Sequence, residues 1–210
     1  MADVEAFRNR IVDCGFVLDP EGTHHEFNGG MHGQKLDFDN IDERGRLYSQ
    51  WIEVTTSFIA EKFPKLPEVI IGVANGTNRV ALDTARSFDG DVIGLKSVKV
   101  REDSKQLYIP TLAARIIAGI EPDLVVVIED VGTTGGSSVQ VAKKALDLGA
   151  SAVEVVTTWK RREHLEKLDE ANIPHHAIID EPLPTYEPVA CQRDEDGFCY
   201  RGWEFIPREV

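Results

Sequence analysis

Apolar positions change their spacing several times along the chain, and each spacing predicts an element. Residues 3–15 place Val4, Phe7, Ile11 and Val12 at helical intervals, with Gly15 as a stop. Residues 22–40 read as a short strand, a glycine turn and a second strand. A long amphipathic helix is predicted over 42–63. Its buried face carries Leu47, Trp51, Val54, Phe58 and Ile59, and Pro64 and Pro67 end it. From there strand and helix patterns alternate. Strands are expected at 68–74, 91–100, 124–130, 151–159 and 176–180, and helices at 76–88, 137–150 and 161–172. Continuous apolar strands separated by amphipathic helices predict an α/β fold, with a parallel, doubly wound sheet flanked by helices and joined by right-handed crossovers.

Two stretches break this rhythm. Residues 101–108 (REDSKQLY) are polar, lack a period and read as an exposed loop. Residues 182–207 read as an extended tail with a small hairpin around Asp196-Gly197. The expected organisation is an N-terminal helix and small hood over 1–40, a core over 41–181 and a C-terminal tail over 182–210.

Composition narrows the function. A hydrophobic fraction of 42% in 210 residues is enough for one normal core. The net charge of −13 argues against broad binding to nucleic acid, because an acidic surface repels phosphate backbones. The three cysteines, Cys14, Cys191 and Cys199, are odd in number and widely spaced. They fit a reducing, cytoplasmic setting better than a disulfide framework. The polar start MADVEAFRNR does not read as a signal peptide, and no apolar run suits a membrane helix. The HisHis pairs at 24–25 and 175–176 lack the companion spacing of a metal site.

The candidate chemistry lies in VVVIEDVGTTGGSS, residues 125–138. In open parallel sheets, ligands bind beyond the carboxyl ends of the strands. Gly132, Gly135 and Gly136 let backbone approach a ligand there. Amides at the following helix start attract an anion, and Thr133, Thr134, Ser137 and Ser138 add hydroxyl donors. Glu129 and Asp130 would repel that anion unless the ligand also carries hydroxyls or a metal ion. A ribose with a 5-phosphate meets both demands. The string is neither a Walker A loop nor a G-x-G-x-x-G fingerprint.

These residues resemble the phosphoribosyl-diphosphate (PRPP) binding motif of type I phosphoribosyltransferases, and the ED-V-x-TTGGS variant is most similar to orotate phosphoribosyltransferases. The likeness runs over about residues 26–180. It implies the type I phosphoribosyltransferase fold with a small N-terminal hood. It also implies transfer of ribose 5-phosphate from PRPP to a nitrogenous base, with Mg²⁺ as cofactor and pyrophosphate released. Within it, Glu129, Asp130, Gly132, Thr133, Thr134, Gly135, Gly136 and Ser137 hold PRPP, and Glu129 and Asp130 also hold Mg²⁺, directly or through water. Residues Ala74, Asn75, Gly76 and Thr77 correspond to the pyrophosphate loop.

The segment VKVREDSKQL resembles the mobile catalytic loop, with Arg101 and Lys105 on matching positions, Glu102 where a lysine is usual, and Lys99 as a further cation. In TTWKRREHLE, Arg161 and Glu163 match a base-binding segment while Lys160 replaces its aspartate. In the hood, Gly30, His32 and Gly33 agree, Met31 and Leu36 depart, and Phe27 and Phe38 are the nearby aromatics for a base. The expected base is orotate, which places the reaction in pyrimidine biosynthesis. The alternatives are the same chemistry on another base, or a non-catalytic PRPP-binding regulator. The resemblance further implies a homodimer.

Overall fold

A computed structural model of the chain describes residues 2–15, 17–18, 24–26, 32–33, 35–36, 38, 41, 44–90, 92–101, 105–183, 185–186, 198–201 and 204–207. Helix α1 spans Val4–Asp13, where the Asp3 side chain caps the start by accepting the Ala6 N–H at 2.8 Å. Gly15, with φ +76°, lies just past its end. Phe7 and Ile11 are buried as expected, but Val12 is exposed: a ten-residue helix turns only one narrow face to the core.

Next come the short strands β1 (Val17–Leu18), β2 (His24–Glu26), β3 (His32–Gly33) and β4 (Lys35–Leu36). The strand–turn–strand expectation for 22–40 corresponds to the antiparallel pair β2–β3, while β4 pairs with β1, which the sequence pattern did not predict. Helix α2 (Gly45–Lys62) buries Leu47, Trp51, Val54 and Ile59 and adds Tyr48 and Thr55; Phe58 is only partly covered.

The central sheet contains β5 (Val69–Gly72), β6 (Ile93–Lys96), β9 (Leu124–Gly132), β10 (Ala152–Lys160) and β11 (His175–Asp180) in the order β11-β10-β9-β5-β6. All four pairings are parallel. Alternation along each strand sends side chains to two faces. Ile70, Val126, Ile128 and Val156 meet α1, α2 and α3 (Asn78–Arg86). On the opposite face, Ile71, Val127, Val153 and Val155 meet α4 (Thr111–Ile120), α5 (Gly136–Asp147) and α6 (Glu166–Glu170). The predicted doubly wound α/β architecture is therefore present.

Several boundaries differ from expectation. The strand expected over 91–100 is two pieces. β6 ends at Lys96, and after Ser97 the chain leaves the sheet as β7 (Val98–Lys99), which pairs antiparallel with β8 (Leu107–Tyr108). Leu107 and Tyr108, expected in an exposed loop, thus form the return arm of a hairpin, and residues 102–104 lie outside the described residues. Helix α4 was not predicted, although Ala113 and Ile117 recur at helical spacing and bury. The helix expected over 161–172 shrinks to α6, because Leu165 is drawn into the core before the first turn.

The described residues of the C-terminal tail pair with N-terminal strands. β12 (Thr185–Tyr186) pairs with β3, and β13 (Phe198–Arg201) pairs with β2 and with β14 (Glu204–Pro207), giving a second sheet in the order β12-β3-β2-β13-β14. β13 and β14 pair antiparallel, from Phe198 with Pro207 to Arg201 with Glu204, and the hairpin expected around Asp196-Gly197 lies outside the described residues.

Candidate functional site

The strand order reverses between β5 and β9: β6 lies on one side of that pair, and β10 and β11 on the other. The loops leaving β5 and β9 therefore splay apart and open a crevice at the carboxyl end of the sheet. The loop after β9 enters α5 through Gly135, whose φ of +77° puts it in the left-handed region where a side chain is strained. A Cβ there would also lie 2.7 Å from Leu168 Cδ1. The amides from Thr133 to Ser138 have no acceptor among the described residues, so the loop and helix start present a run of donors for an anion.

Below this loop, Glu129 ends the buried stretch of β9 at 8% exposure. The buried Ser138 hydroxyl donates to Glu129 Oε2. Burial pushes the Glu129 carboxyl from 4.5 up to about 8, with the Ser138 hydrogen bond opposing and the Asp130 charge adding to the rise. Asp130 accepts the Val131 N–H at 2.7 Å. A Cβ on Gly76 would displace the Asp130 carboxylate, which shows how closely the 74–77 loop approaches it.

That loop is locked from beneath. Thr77, at 1% exposure, accepts the Val73 N–H (2.9 Å) and donates to the Ile128 carbonyl (2.6 Å). Ser97 Oγ donates to the Gly72 carbonyl (2.8 Å) and accepts the Ala74 N–H (2.9 Å), while the Asn78 carboxamide brackets Ser97 from both sides. The Ala74–Asn75 peptide is cis.

A cavity of about 560 Å³ joins Ala74, Lys99, Lys105, Glu129, Thr133, Thr134, Gly135, Gly136 and Ser137, the largest part of the predicted set. Leu107, Val131 and Gln140, not singled out in the sequence, complete its wall. Asp130 and Gly76 meet beside it.

Other predicted residues stand elsewhere. The Thr77 hydroxyl bonds to the Val73 N–H and the Ile128 carbonyl, and the Ala74 amide donates to Ser97 Oγ. Among the described residues the amides of Asn75 and Gly76 have no acceptor. Gly132 lies against Thr157 and Leu165 at the β9 end, outside the lining. Arg101 is exposed at the hairpin tip and is also outside it.

Phe38 is buried with its ring centroid 5.0 Å from that of Trp51, away from the residues that line the cavity, and Leu36 is buried too. Phe27, Gly30, Met31 and Glu102 lie outside the described residues. Arg161 follows β10, is 3% exposed and donates its backbone N–H to the Gly132 carbonyl at 3.1 Å. Burial and then Arg162 hold its guanidinium down to about 10. Lys160, where an aspartate was expected, pairs with Asp180 at 2.8 Å.

Ser97 and Asn78 could have been suspected as polar residues at an apolar strand end and at a helix start. Gln140 carried no distinguishing signal. Among the described residues no cluster of three metal-ligating side chains occurs, and no helix is long and apolar enough to cross a membrane.

No family model matches the chain. A curated relative, the orotate phosphoribosyltransferase of Caldanaerobacter subterraneus subsp. tengcongensis, is 30% identical over 155 residues, 71% of this chain and 73% of the relative. Among solved structures, the orotate phosphoribosyltransferase of Aeropyrum pernix superposes with a TM-score of 0.60 at 18% identity, covering 82% of this chain and 93% of that one. The adenine phosphoribosyltransferase of Saccharomyces cerevisiae, solved with adenine and an imino-altritol bisphosphate, gives 0.59 at 15% identity, covering 83% and 99%.

Proposed function

Since the chain belongs to the type I phosphoribosyltransferases, we propose that it transfers ribose 5-phosphate from PRPP to orotate, forming orotidine 5′-monophosphate and pyrophosphate. A base nitrogen forms a bond to C1 of the ribose and loses its proton, and the bond from C1 to the pyrophosphate oxygen breaks. Positive charge grows on the ribose and negative charge on the leaving group. No covalent intermediate on the protein is needed, so catalysis is positioning and electrostatics.

The observation that carries this reading is a single cavity with three kinds of group in its wall. The donor run from Thr133 to Ser137 suits the 5-phosphate, Glu129 suits the ribose hydroxyls, and Lys99 and Lys105 suit the pyrophosphate. Asp130 and the Asn75 and Gly76 amides lie where the ribose and pyrophosphate halves would join. The Asp130 carboxylate and substrate phosphate oxygens, joined by Glu129 once its proton is released, match the donor set that Mg²⁺ takes. An ion held by these residues would supply positive charge facing the pyrophosphate oxygens. Arg101 would supply further positive charge from the hairpin tip. Arg161, a buried cation beside the end of β9, suits the carboxylate of orotate.

A second reading keeps the chemistry and changes the base. It is favoured by Phe38 being turned into the core and by Lys160 being engaged by Asp180. The deciding measurement is pyrophosphate release from PRPP and Mg²⁺ with orotate, uracil, adenine, hypoxanthine and guanine in turn. Release with orotate alone supports the first reading, and release only with another base replaces it. PRPP binding without release on any base leaves a regulator.

A further inference from the structure

The β7–β8 hairpin stands apart from the central sheet, and among the described residues it is closed by two registered pairs, Val98 with Tyr108 and Lys99 with Leu107, and by the Val100 N–H donating to the Gln106 carbonyl at 3.0 Å. A two-stranded hairpin is marginal in water unless something else holds it. Part of the hold is apolar: Leu107 and Ile109 bury against Val141 and its neighbours on α5.

The other part is one side chain. Gln140, one turn into α5, accepts the Leu107 N–H on Oε1 at 3.0 Å. Its Nε2 donates to the Lys105 carbonyl at 3.1 Å and lies 3.3 Å from the Gly136 carbonyl. In an extended chain the C=O of one residue and the N–H two residues on point to the same side, so one carboxamide can read both as a neighbouring strand would. Gly136 belongs to the anion loop. Gln140 therefore links the helix that starts at the donor run to the return arm carrying Lys105, and it lines the cavity between them.

We propose that Gln140 is a positioning residue: it fastens the Lys105 arm of the hairpin to the start of α5, so that Lys105 is held over the cavity at a fixed distance from the phosphate loop. The proposal rests on the phosphoribosyl-transfer reading for its consequence in turnover, though not for its geometry. Without the tie, the Lys105 ammonium keeps its charge but loses its place, and the stabilisation of the leaving group falls with it. The donor amides from Thr133 to Ser137 are not bonded to Gln140, so most of the hold on PRPP in the ground state persists while the placement of Lys105 is lost.

The test uses the full chain with PRPP, Mg²⁺ and the base it accepts. Gln140→Met keeps the length and packing of the side chain and removes the hydrogen bonds. It is expected to bind PRPP within about threefold of wild type by calorimetry while its kcat for pyrophosphate release falls roughly tenfold or more, in line with the cost of small misplacements. Lys105→Ala is expected to cost about as much in the wild-type background and less than about threefold more in the Gln140→Met background, because coupled groups are not additive. The Leu107 amide should exchange roughly tenfold faster in Gln140→Met.

Wild-type kcat in Gln140→Met overturns the proposal. So do losses that multiply in the double variant, or a tenfold loss of PRPP affinity. If wild-type protein releases no pyrophosphate with any base, the functional reading has failed separately. Amide exchange then decides the tie alone: an unchanged Leu107 rate overturns it and a faster one supports it.

Discussion

At the scale of single residues, Glu129 and Asp130 are neighbours in sequence and differ in environment. Glu129 is buried on β9 with Ser138 donating to it, whereas Asp130 faces the Gly76 turn. For Glu129 the burial has a consequence for stability. Its carboxyl titrates at 4.5 when unfolded and at about 8 in the native state, so between those values the native chain holds a proton that the unfolded chain has released. The contribution to stability is complete below pH 4.5 and is lost as pH rises through 8. Glu129→Gln cannot titrate. Thermal unfolding should therefore show wild type losing Tm relative to Glu129→Gln between pH 5.5 and 8.5, and parallel curves would remove the buried proton. Asp130→Asn is expected to keep the wild-type melting temperature and to lower pyrophosphate release by at least about tenfold, since the loss falls on groups that steady the charged transition state. An undiminished rate would remove Asp130 from the site.

At the scale of elements, the turn from β5 to α3 is built around Thr77 and Ser97. Thr77→Val removes a hydroxyl that serves the Val73 N–H and the Ile128 carbonyl. The Val73 N–H and the Ile128 carbonyl keep their own bond to each other at 3.0 Å, so the loss is that of the buried hydroxyl's hydrogen bonding, about 0.5–1.5 kcal/mol per bond. For a chain of this size that is a fall of several degrees in Tm, at about 2–4 °C per kcal/mol. Because the same hydroxyl fixes the approach of Gly76 to Asp130, the KM for PRPP should rise as well. A stable variant with unchanged KM would show that the turn holds its shape without Thr77. The periodicity of 68–74 announced this strand and the glycine announced the turn, but nothing in the local pattern revealed that the turn's own threonine serves the protein rather than a ligand. That choice depends on Ile128, 51 positions away.

At the scale of the whole molecule, the hairpin and the start of α4 leave Val100, Tyr108 and Leu112 exposed, with Leu112 at 72%. Because exposed apolar side chains gain by burial against a partner, we propose that they bury in a homodimer. Sedimentation should give twice the 23.4 kDa chain mass, and Leu112→Asp should shift it to the monomer; a wild-type monomer at tens of micromolar would reject this. What the sequence determined by itself was whatever repeats locally or is encoded in contiguous residues: the strand and helix alternation, and with it the parallel sheet, and the acid pair with its TTGGSS donor run. Periodicity reports which face of an element is covered, and a contiguous loop carries its own backbone chemistry. Only the tertiary structure decided what meets across long separations. It placed Phe38 against Trp51 instead of beside a ligand, added β13 to the sheet of β2, and set Gln140 on the Lys105 arm. Such pairings are chosen by competition for the same buried space and the same hydrogen-bonding groups, which is settled only once every element is in place.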